Sequence, residues 1–285
     1  MAGVATNRTN INLPPEVSAE ILAKTQDASA VMTLARQIQL PGRGVSIPVI
    51  TGDPQAAWVA ETAAKTIANP TLETKTMAPY KLAVIVPFSN EFRRDAAALY
   101  DELVRRLPLA LAQRFDATVV GAVQAPGSDF DTFASATAQN ISTDTYASLV
   151  AADTDIATHG GIMNGIALSP QGKGVLLGAV DGNERPLFIN NVSEGAVPMV
   201  LGAQTVLSKG MYNATGNVVG IAGDWTQAMY GTVSGVEISY SEDATLKSGN
   251  TEINLFQQNM FAVRAEIEIG FRADVTCFNR LTTGA

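Results

Sequence analysis

Polar and apolar residues alternate most regularly near the end of the chain. Every odd position from Phe261 to Val275 carries an apolar side chain, whereas Arg264, Glu266 and Arg272 are among the even ones. A period of two residues is typical of a β-strand whose two faces meet different surroundings. The pattern therefore predicts one long strand with one face on a core and one charged face.

A second long apolar pattern has the period of a helix. Between residues 90 and 120 the apolar positions recur at steps of three and four, from Phe92 to Val119. Such a stripe indicates a helix of about 45 Å, at a rise of about 1.5 Å per residue. Pro108 lies inside it, so we expect a kink near Val104 to Pro108, or two abutting helices. The stripe needs an apolar sheet to cover it, and the final strand is the natural partner.

The start of the chain predicts an arm, a short helix and two strands. Residues 1–13 are polar and without period, and the two prolines that follow suit the start of a short helix. Alternation from Met32 to Leu40 indicates a strand, residues 41–44 form a turn, and Val45 to Val49 continue as its partner strand.

The segment from Thr51 to Thr76 has no buried face of either period and is rich in Ala, Thr and Pro. It is too long to be a simple connector, so we interpret it as a protruding loop between strands. A two-stranded arm of about ten residues a side would reach about 30–35 Å from the body. That reach suits contact with a neighbouring subunit. The alternation from Tyr80 to Phe88 then predicts another strand.

From Gly121 to about Gly249 the chain is rich in small and turn-forming residues, which indicates an inserted second domain. Helices are expected from Thr143 to Asp155 and from Pro170 to Val180. Strands are expected around residues 197–207, 218–221 and 233–240. The N-terminal and C-terminal parts then close one discontinuous domain around the insertion, and the fold class is α+β.

Composition adds a question about surface. Hydrophobic residues make up 46% of the chain and charged residues 16%. Either much surface is buried between subunits or the chain is an apolar-rich monomer, and composition does not separate the two. The formal net charge of −8 opposes a basic surface that grips phosphates, but is compatible with a wall that contains nucleic acid without binding a sequence.

The sequence offers no targeting or membrane segment. The N-terminus lacks a charged start followed by an apolar stretch, and no apolar run is long enough to span a bilayer. We therefore expect a chain that is cytoplasmic when made and has no membrane partner.

The residues of catalytic and metal sites are scarce. His159 and Cys277 are the only histidine and cysteine, which excludes a disulfide within the chain and leaves no ligand set for zinc. We interpret His159 as a loop residue and Cys277 as a core residue. Lys173 is followed by Gly174, which does not fit a phosphate loop. The sequence thus predicts no catalytic residue, no metal and no cofactor, and the chain is not expected to be an enzyme.

Several short motifs follow one another in order along the chain. They are Ile47-Pro48-Val49 before Ala57 to Glu61, Lys81 to Val86 before Ser89 to Phe92 and Asp95, Asp116 with Gly121, Gly223-Asp224-Trp225 with Ala228 and Tyr230, and the strand from Arg264 to Phe271. This order, with the arm, loop, long helix and insertion, resembles the major capsid proteins of tailed bacteriophages with the Hong Kong 97-like fold. The resemblance covers nearly the whole chain.

The resemblance implies a division into named parts. These are an N-terminal arm and short helix at 1–30, a peripheral domain at 31–50, 77–130 and 250–285, an extended loop at 51–76 and an axial domain at 131–249. It implies a structural protein that self-assembles into hexamers and pentamers of an icosahedral shell around double-stranded phage DNA. The chain would be found in the virion and, during assembly, in the host cytoplasm.

The resemblance also implies intersubunit contacts in the extended loop. Trp58 is the expected anchor in a partner's pocket, unless it folds back onto its own domain, and Glu61, Lys65 and Lys75 are the other contact candidates. Some relatives join a loop lysine to a neighbour's asparagine, and Asn279 could have that role with Lys65 or Lys75.

Other partners follow from the same resemblance. Met1 lies only a few residues before the arm, so a separate scaffolding protein is expected, together with a portal and decoration proteins. An encapsulin-type bacterial nanocompartment shell is the alternative with the same fold. An α+β enzyme with a carboxylate site is the third reading, and the sequence shows no acidic residues converging on one place.

Overall fold

The computed structural model describes residues 15–50, 72–90, 96–188, 199–248 and 251–284. These residues form five α-helices, none of which is long and apolar enough to cross a bilayer. The helices are α1 (Pro15–Ala28), α2 (Ala30–Leu34), α3 (Ala96–Val119), α4 (Thr145–Thr158) and α5 (Pro170–Gly178).

The strands form two main sheets and two isolated ladders. The first sheet contains β1 (Arg36–Gln39), β4 (Tyr80–Ser89), β10 (Ala228–Thr232), β11 (Glu237–Ser241) and β14 (Met260–Ala273). The second sheet has, in spatial order, β5 (Thr137–Asn140), β15 (Phe278–Thr282), β9 (Val218–Gly223), β6 (Gly165–Leu168), β8 (Ala203–Leu207) and β7 (Met199–Val200). The ladders are β2 (Val45–Ile50) with β3 (Leu72–Met77), and β12 (Thr245–Ser248) with β13 (Thr251–Asn254).

The predicted long final strand is confirmed as β14, the centre of the first sheet. It pairs along one side with β4, from Met260 opposite Ser89 to Ile269 opposite Tyr80. Its other side pairs first with β11 and then with β10, all antiparallel. The odd positions from Phe261 to Ala273 are at most 4% exposed, so they form the face on the core.

The predicted long helix is also confirmed, as α3. Its buried residues Leu107 and Leu111 share an apolar core with Val263 and Ile267 of β14, as the matching of helix stripe and strand face requires. Pro108 lies inside one continuous helix, so the expected alternative of two abutting helices is wrong. The helix is expected to start near Asn90, and residues 91–95, between Asn90 and the observed start at Ala96, lie outside the described residues.

One aromatic cluster joins the two sheets. Phe133 lies 5.7 Å, between ring centroids, from Phe271 of β14 and 4.5 Å from Phe278 of β15. Phe115 of α3 approaches Phe271 at 6.1 Å, and Trp225 approaches Phe278 at 5.3 Å. Since these rings come from both sheets and from α3, the sheets share a single core.

The strand expected from Met32 to Leu40 is partly wrong. Met32 and Leu34 belong to α2, and only Arg36–Gln39 form a strand. The Ser29 hydroxyl accepts a hydrogen bond from the Met32 backbone N–H and so caps the helix. A short alternating run does not reveal such a cap, because Met32 and Leu34 are apolar in either structure.

The expected pairing of the first two strands is wrong as well. β1 pairs in parallel with β10, and the Leu40 N–H donates to the Thr232 carbonyl oxygen at 2.9 Å. After the turn, which is present as predicted, β2 pairs with β3 instead. The turn residues therefore separate two sheets and do not close a hairpin.

The inserted region follows the sequence prediction in its helices. Both α4 and α5 are present, although α4 begins at Thr145, two residues after the expected start, because Asp144 caps it by accepting a hydrogen bond from the Ala147 N–H. The strand β10 was not predicted from the sequence. Strands also cross the domain boundaries drawn from the resemblance, because β10 and β11 lie in the first sheet and β15 in the second.

A buried carboxylate on α3 connects three parts of the chain. Asp116 is fully buried and accepts hydrogen bonds from the Ser29 hydroxyl at 2.6 Å and from the Ala30 and Val31 N–H groups at 3.1 and 3.4 Å. The Ser208 side chain also bonds to it. Burial raises the pKa of Asp116 to about 6, although these hydrogen bonds act in the opposite direction.

We expect Phe271→Ala to lower the free energy of unfolding by about 3–5 kcal/mol, because it opens a cavity where α3 and both sheets meet. Ile85→Ala is the control, since Ile85 is 48% exposed on the outward side of β4. It should change the free energy of unfolding by less than about 1 kcal/mol. Urea unfolding of the unassembled subunit measures both, and equal effects would contradict the proposed core.

The raised pKa of Asp116 predicts a pH dependence of stability. The folded state holds the proton more strongly than the unfolded one, so this contribution is full below pH 3.8 and is lost as pH rises to about 6. The loss should be about 2–3 kcal/mol. The measurement is urea unfolding of wild type and Asp116→Asn between pH 4 and 7. The free-energy difference, wild type minus variant, should fall with pH, and a flat or rising difference would rule the assignment out.

Candidate functional site

The lone histidine and cysteine lie close together without forming a reactive pair. The Cys277 thiol contacts the backbone oxygen of His159 at 3.8 Å, and the His159 ring Nδ1 lies 2.8 Å from the Asp155 carbonyl oxygen. Cys277 is buried, and burial, aided by the negative charge of Asp274, raises the pKa of its thiol. The thiol therefore stays protonated, which is unsuited to a nucleophile.

The carboxylates that alternate along β14 are tied into surface ion pairs. Glu268 lies 3.3 Å from Lys81 of β4, and Glu266 lies 3.3 Å from Arg264. In the described ranges, no three His, Cys, Asp or Glu side chains are grouped so that they could hold a metal ion. The outward side of the first sheet thus carries paired surface charges.

The β2–β3 ladder lies at the base of the expected extended loop. Six residue pairs join the strands, from Val45 opposite Met77 to Ile50 opposite Leu72. Lys75 lies on β3 opposite Ile47 and is half-buried. The other three contact candidates, Trp58, Glu61 and Lys65, lie outside the described residues.

The structure excludes the crosslink role considered for Asn279. This residue lies within β15 of the second sheet and is 0% exposed. Its side-chain amide donates to the Ala152 carbonyl oxygen on α4 at 3.2 Å. A lysine of another subunit could not reach it without disrupting the sheet, so Asn279 is a structural residue.

An exposed apolar patch lies at the β7 edge of the second sheet, and we call it the β7 patch. A cleft of about 300 Å³ is lined there by Tyr146 of α4, Leu187 and Phe188, and the β7 residues with Leu201. Met199 is 60% exposed, Tyr146 52% and Leu201 41%. Contiguous exposed apolar side chains of this size are typical of surfaces that contact another protein.

The turn within this patch has an unusual backbone. Leu201 and Gly202 connect β7 to β8, and both have positive φ angles, 50° and 83°. Such two-residue hairpin turns favour Asn-Gly, because most side chains are strained in this conformation. Leu201 was not among the site residues predicted from the sequence. The signal that could have revealed it is a leucine directly before Gly202, at a turn position between two short apolar runs where Asn is favoured.

Comparisons with known proteins show the family to which this chain belongs. Residues 10–274 match the phage capsid family. The probable major capsid protein of Mycobacterium phage L5 is 31% identical over 294 aligned residues, covering 95% of this chain and 89% of that protein. The major capsid protein of Staphylococcus phage 80alpha is 24% identical, covering 93% of this chain and 83% of that protein.

Solved structures share the mixed α and β fold. A chain from Microbacterium phage Oxtober96 matches with a TM-score of 0.72 at 19% identity, covering all of this chain and 96% of its own. A chain from Gordonia phage Cozz matches with a TM-score of 0.71 at 21% identity, over 90% and 87% of the two chains.

These relatives bear on the predicted function. Because they are structural capsid proteins, the prediction that the chain is not an enzyme is confirmed, and the encapsulin alternative is not favoured. Because these matches cover nearly the whole chain, they also exclude the interpretation of the chain as an α+β enzyme. The chain belongs to the phage capsid family and is the major capsid protein of a bacteriophage.

Proposed function

We propose that this capsid protein assembles into hexamers and pentamers of an icosahedral shell that encloses double-stranded DNA. Its fold is of the Hong Kong 97-like type, with the arm, extended loop, peripheral domain and axial domain described above. The support is the order of elements along the chain, in which α3 and β14 enclose the insertion. A boundary drawn by sheet would assign β10 and β11 to the peripheral domain and β15 to the axial one.

The observation that carries the proposal of ring contacts is the β7 patch. A free subunit gains nothing from a strained Leu201 whose side chain is 41% exposed. A contact that buries Leu201 and Met199 between subunits would offset that strain, since buried apolar side chains dominate the energy of interfaces. The occupant is a second copy of this chain, as expected of a shell built from one subunit.

A related fold supports a ring arrangement. One solved neighbour, with a TM-score of 0.62 at 13% identity, is the capsid of an empty GTA particle computed with C5 symmetry. In a ring of five or six, each subunit uses two different surfaces, one for each neighbour. The β7 patch provides one such surface. The extended loop, with Trp58, Glu61, Lys65 and Lys75, reaches a neighbour elsewhere. The base of this loop is the β2–β3 ladder, which we call the β2–β3 arm.

The other proposed partners are those expected of a shell protein: DNA, a scaffolding protein, a portal and decoration proteins. The net charge of −8 suits a wall that holds DNA by enclosure, without sequence-specific binding. Assembly takes place in the host cytoplasm with a separate scaffolding protein and a portal, and decoration proteins bind the finished surface. Electron microscopy of the chain expressed with its scaffold tests the shell directly. Protein that stays monomeric under those conditions contradicts it.

Leu201→Asn separates folding from assembly. Asparagine tolerates the positive φ, so the free energy of unfolding of the subunit should rise by about 1 kcal/mol. Loss of the apolar contact should reduce the yield of shells about tenfold. Urea unfolding and sedimentation measure the two effects. A variant that is more stable and assembles as well as wild type would show that Leu201 is not a contact.

Met199→Asp tests the same patch with a charge. It should leave urea unfolding of the subunit nearly unchanged, because Met199 is 60% exposed, and should strongly reduce shell yield. Ala138→Asp is the matched control, since Ala138 is exposed on β5, at the opposite edge of the same sheet. Equal loss of shells in both variants would argue against a specific contact at β7.

A further inference from the structure

Both ends of the β2–β3 arm meet the first sheet at the same place. Leu40 precedes the turn into β2, and Met77 is the last residue of β3. They are 2% and 0% exposed, so both side chains are buried where the arm joins the body. The arm itself is a two-stranded ladder, which is only marginally stable without support.

A pair of glycines makes room for these two side chains. Gly231 of β10 and Gly270 of β14 lie directly opposite each other. A Cβ atom on Gly231 would lie 2.4 Å from Leu40 Cγ, and one on Gly270 would lie 2.8 Å from Met77 Cγ and 2.7 Å from the Ala78 carbonyl oxygen. Glycine weakens the interior of a strand and often marks a close approach of another segment. Here two facing glycines form a socket for both ends of the arm.

An arginine clamps the same junction from the side. Arg272 is two residues beyond Gly270, and its side chain is only 12% exposed. Its Nε donates to the Thr76 carbonyl oxygen of β3 at 2.8 Å, while Nη1 and Nη2 bind Asp131 and Asp129 at 2.7 and 2.9 Å. The guanidinium therefore ties the backbone of the arm to the body through fixed, charge-assisted hydrogen bonds.

We propose that Gly231, Gly270 and Arg272 are positioning residues that set the direction in which the β2–β3 arm leaves the subunit. The arm is thereby aimed at a neighbouring copy before the two subunits meet, which reduces the conformational entropy lost on contact. This inference rests on the proposed assembly into a shell. A purely structural role for the socket would affect stability without changing the direction of the arm.

The direction can be measured on the free subunit by pulsed electron paramagnetic resonance. Spin labels are attached through Thr74→Cys on β3 and Thr154→Cys on α4, which are both exposed. Cys277, the only native cysteine, is buried, and burial raises the pKa of its thiol, so it stays unlabelled. The distances are compared in Gly270→Ala, Arg272→Gln and the control Gly42→Ala, whose added Cβ would meet nothing within 4 Å.

The chain that carries only Thr74→Cys and Thr154→Cys is the parent. The parent and its Gly42→Ala variant should give the same narrow distance distribution and the same yield of shells. Gly270→Ala and Arg272→Gln should shift or broaden the distribution and lower shell yield about tenfold. Arg272→Gln adds no atoms to the socket, so it remains informative if Gly270→Ala fails to fold. Unchanged distances, or changed distances with parental shell yield, would overturn the inference. Failure of the parent itself to form shells would instead contradict the proposed function.

Discussion

The contact between α3 and β14 is the constraint on which the rest of the fold depends. The strand carries seven buried odd positions between Phe261 and Ala273, and such a face is stable only when another apolar layer covers it. The stripe of α3 provides that layer through Leu107 and Leu111. Since the helix lies in the first half of the chain and the strand near its C-terminus, the segment between them must leave this core and return to it.

The aromatic cluster shows how the intervening segment is held. Phe115 of α3 contacts Phe271 of β14 in the first sheet, and Phe133 contacts both Phe271 and Phe278 of β15 in the second sheet. The core therefore runs from one sheet to the other without a break. Asp116, next to Phe115, binds the start of α2 and the Ser208 side chain. The long helix thus contributes to the core that both sheets share.

Function depends on what this core leaves uncovered. A major capsid protein needs no reactive group, and its only cysteine is buried. The surfaces that matter are those that are costly in isolation: an arm of two strands, and an exposed leucine at a positive φ angle. Each is unfavourable for a lone subunit, and the proposed contacts with a neighbouring subunit would offset that cost.

The sequence by itself determined the elements with long, regular periods. The alternation of β14, the stripe of α3 and the strand β4 could be predicted, because a long pattern averages out the ambiguity of single positions. The α+β class and the family followed from the order of these elements. The absence of any apolar face from Thr51 to Thr76 predicts a protruding loop, of which residues 51–71 lie outside the described residues, and Lys75 falls on β3.

Only the tertiary structure decided which short segments pair. Met32 and Leu34 became helical through the Ser29 cap and the Asp116 carboxylate, which is distant in sequence. The pairing of β1 with β10 and the contact of Leu40 with Gly231 also join residues far apart in the chain. A short pattern fits several partners equally well, and the choice among them is made by packing that no local period records.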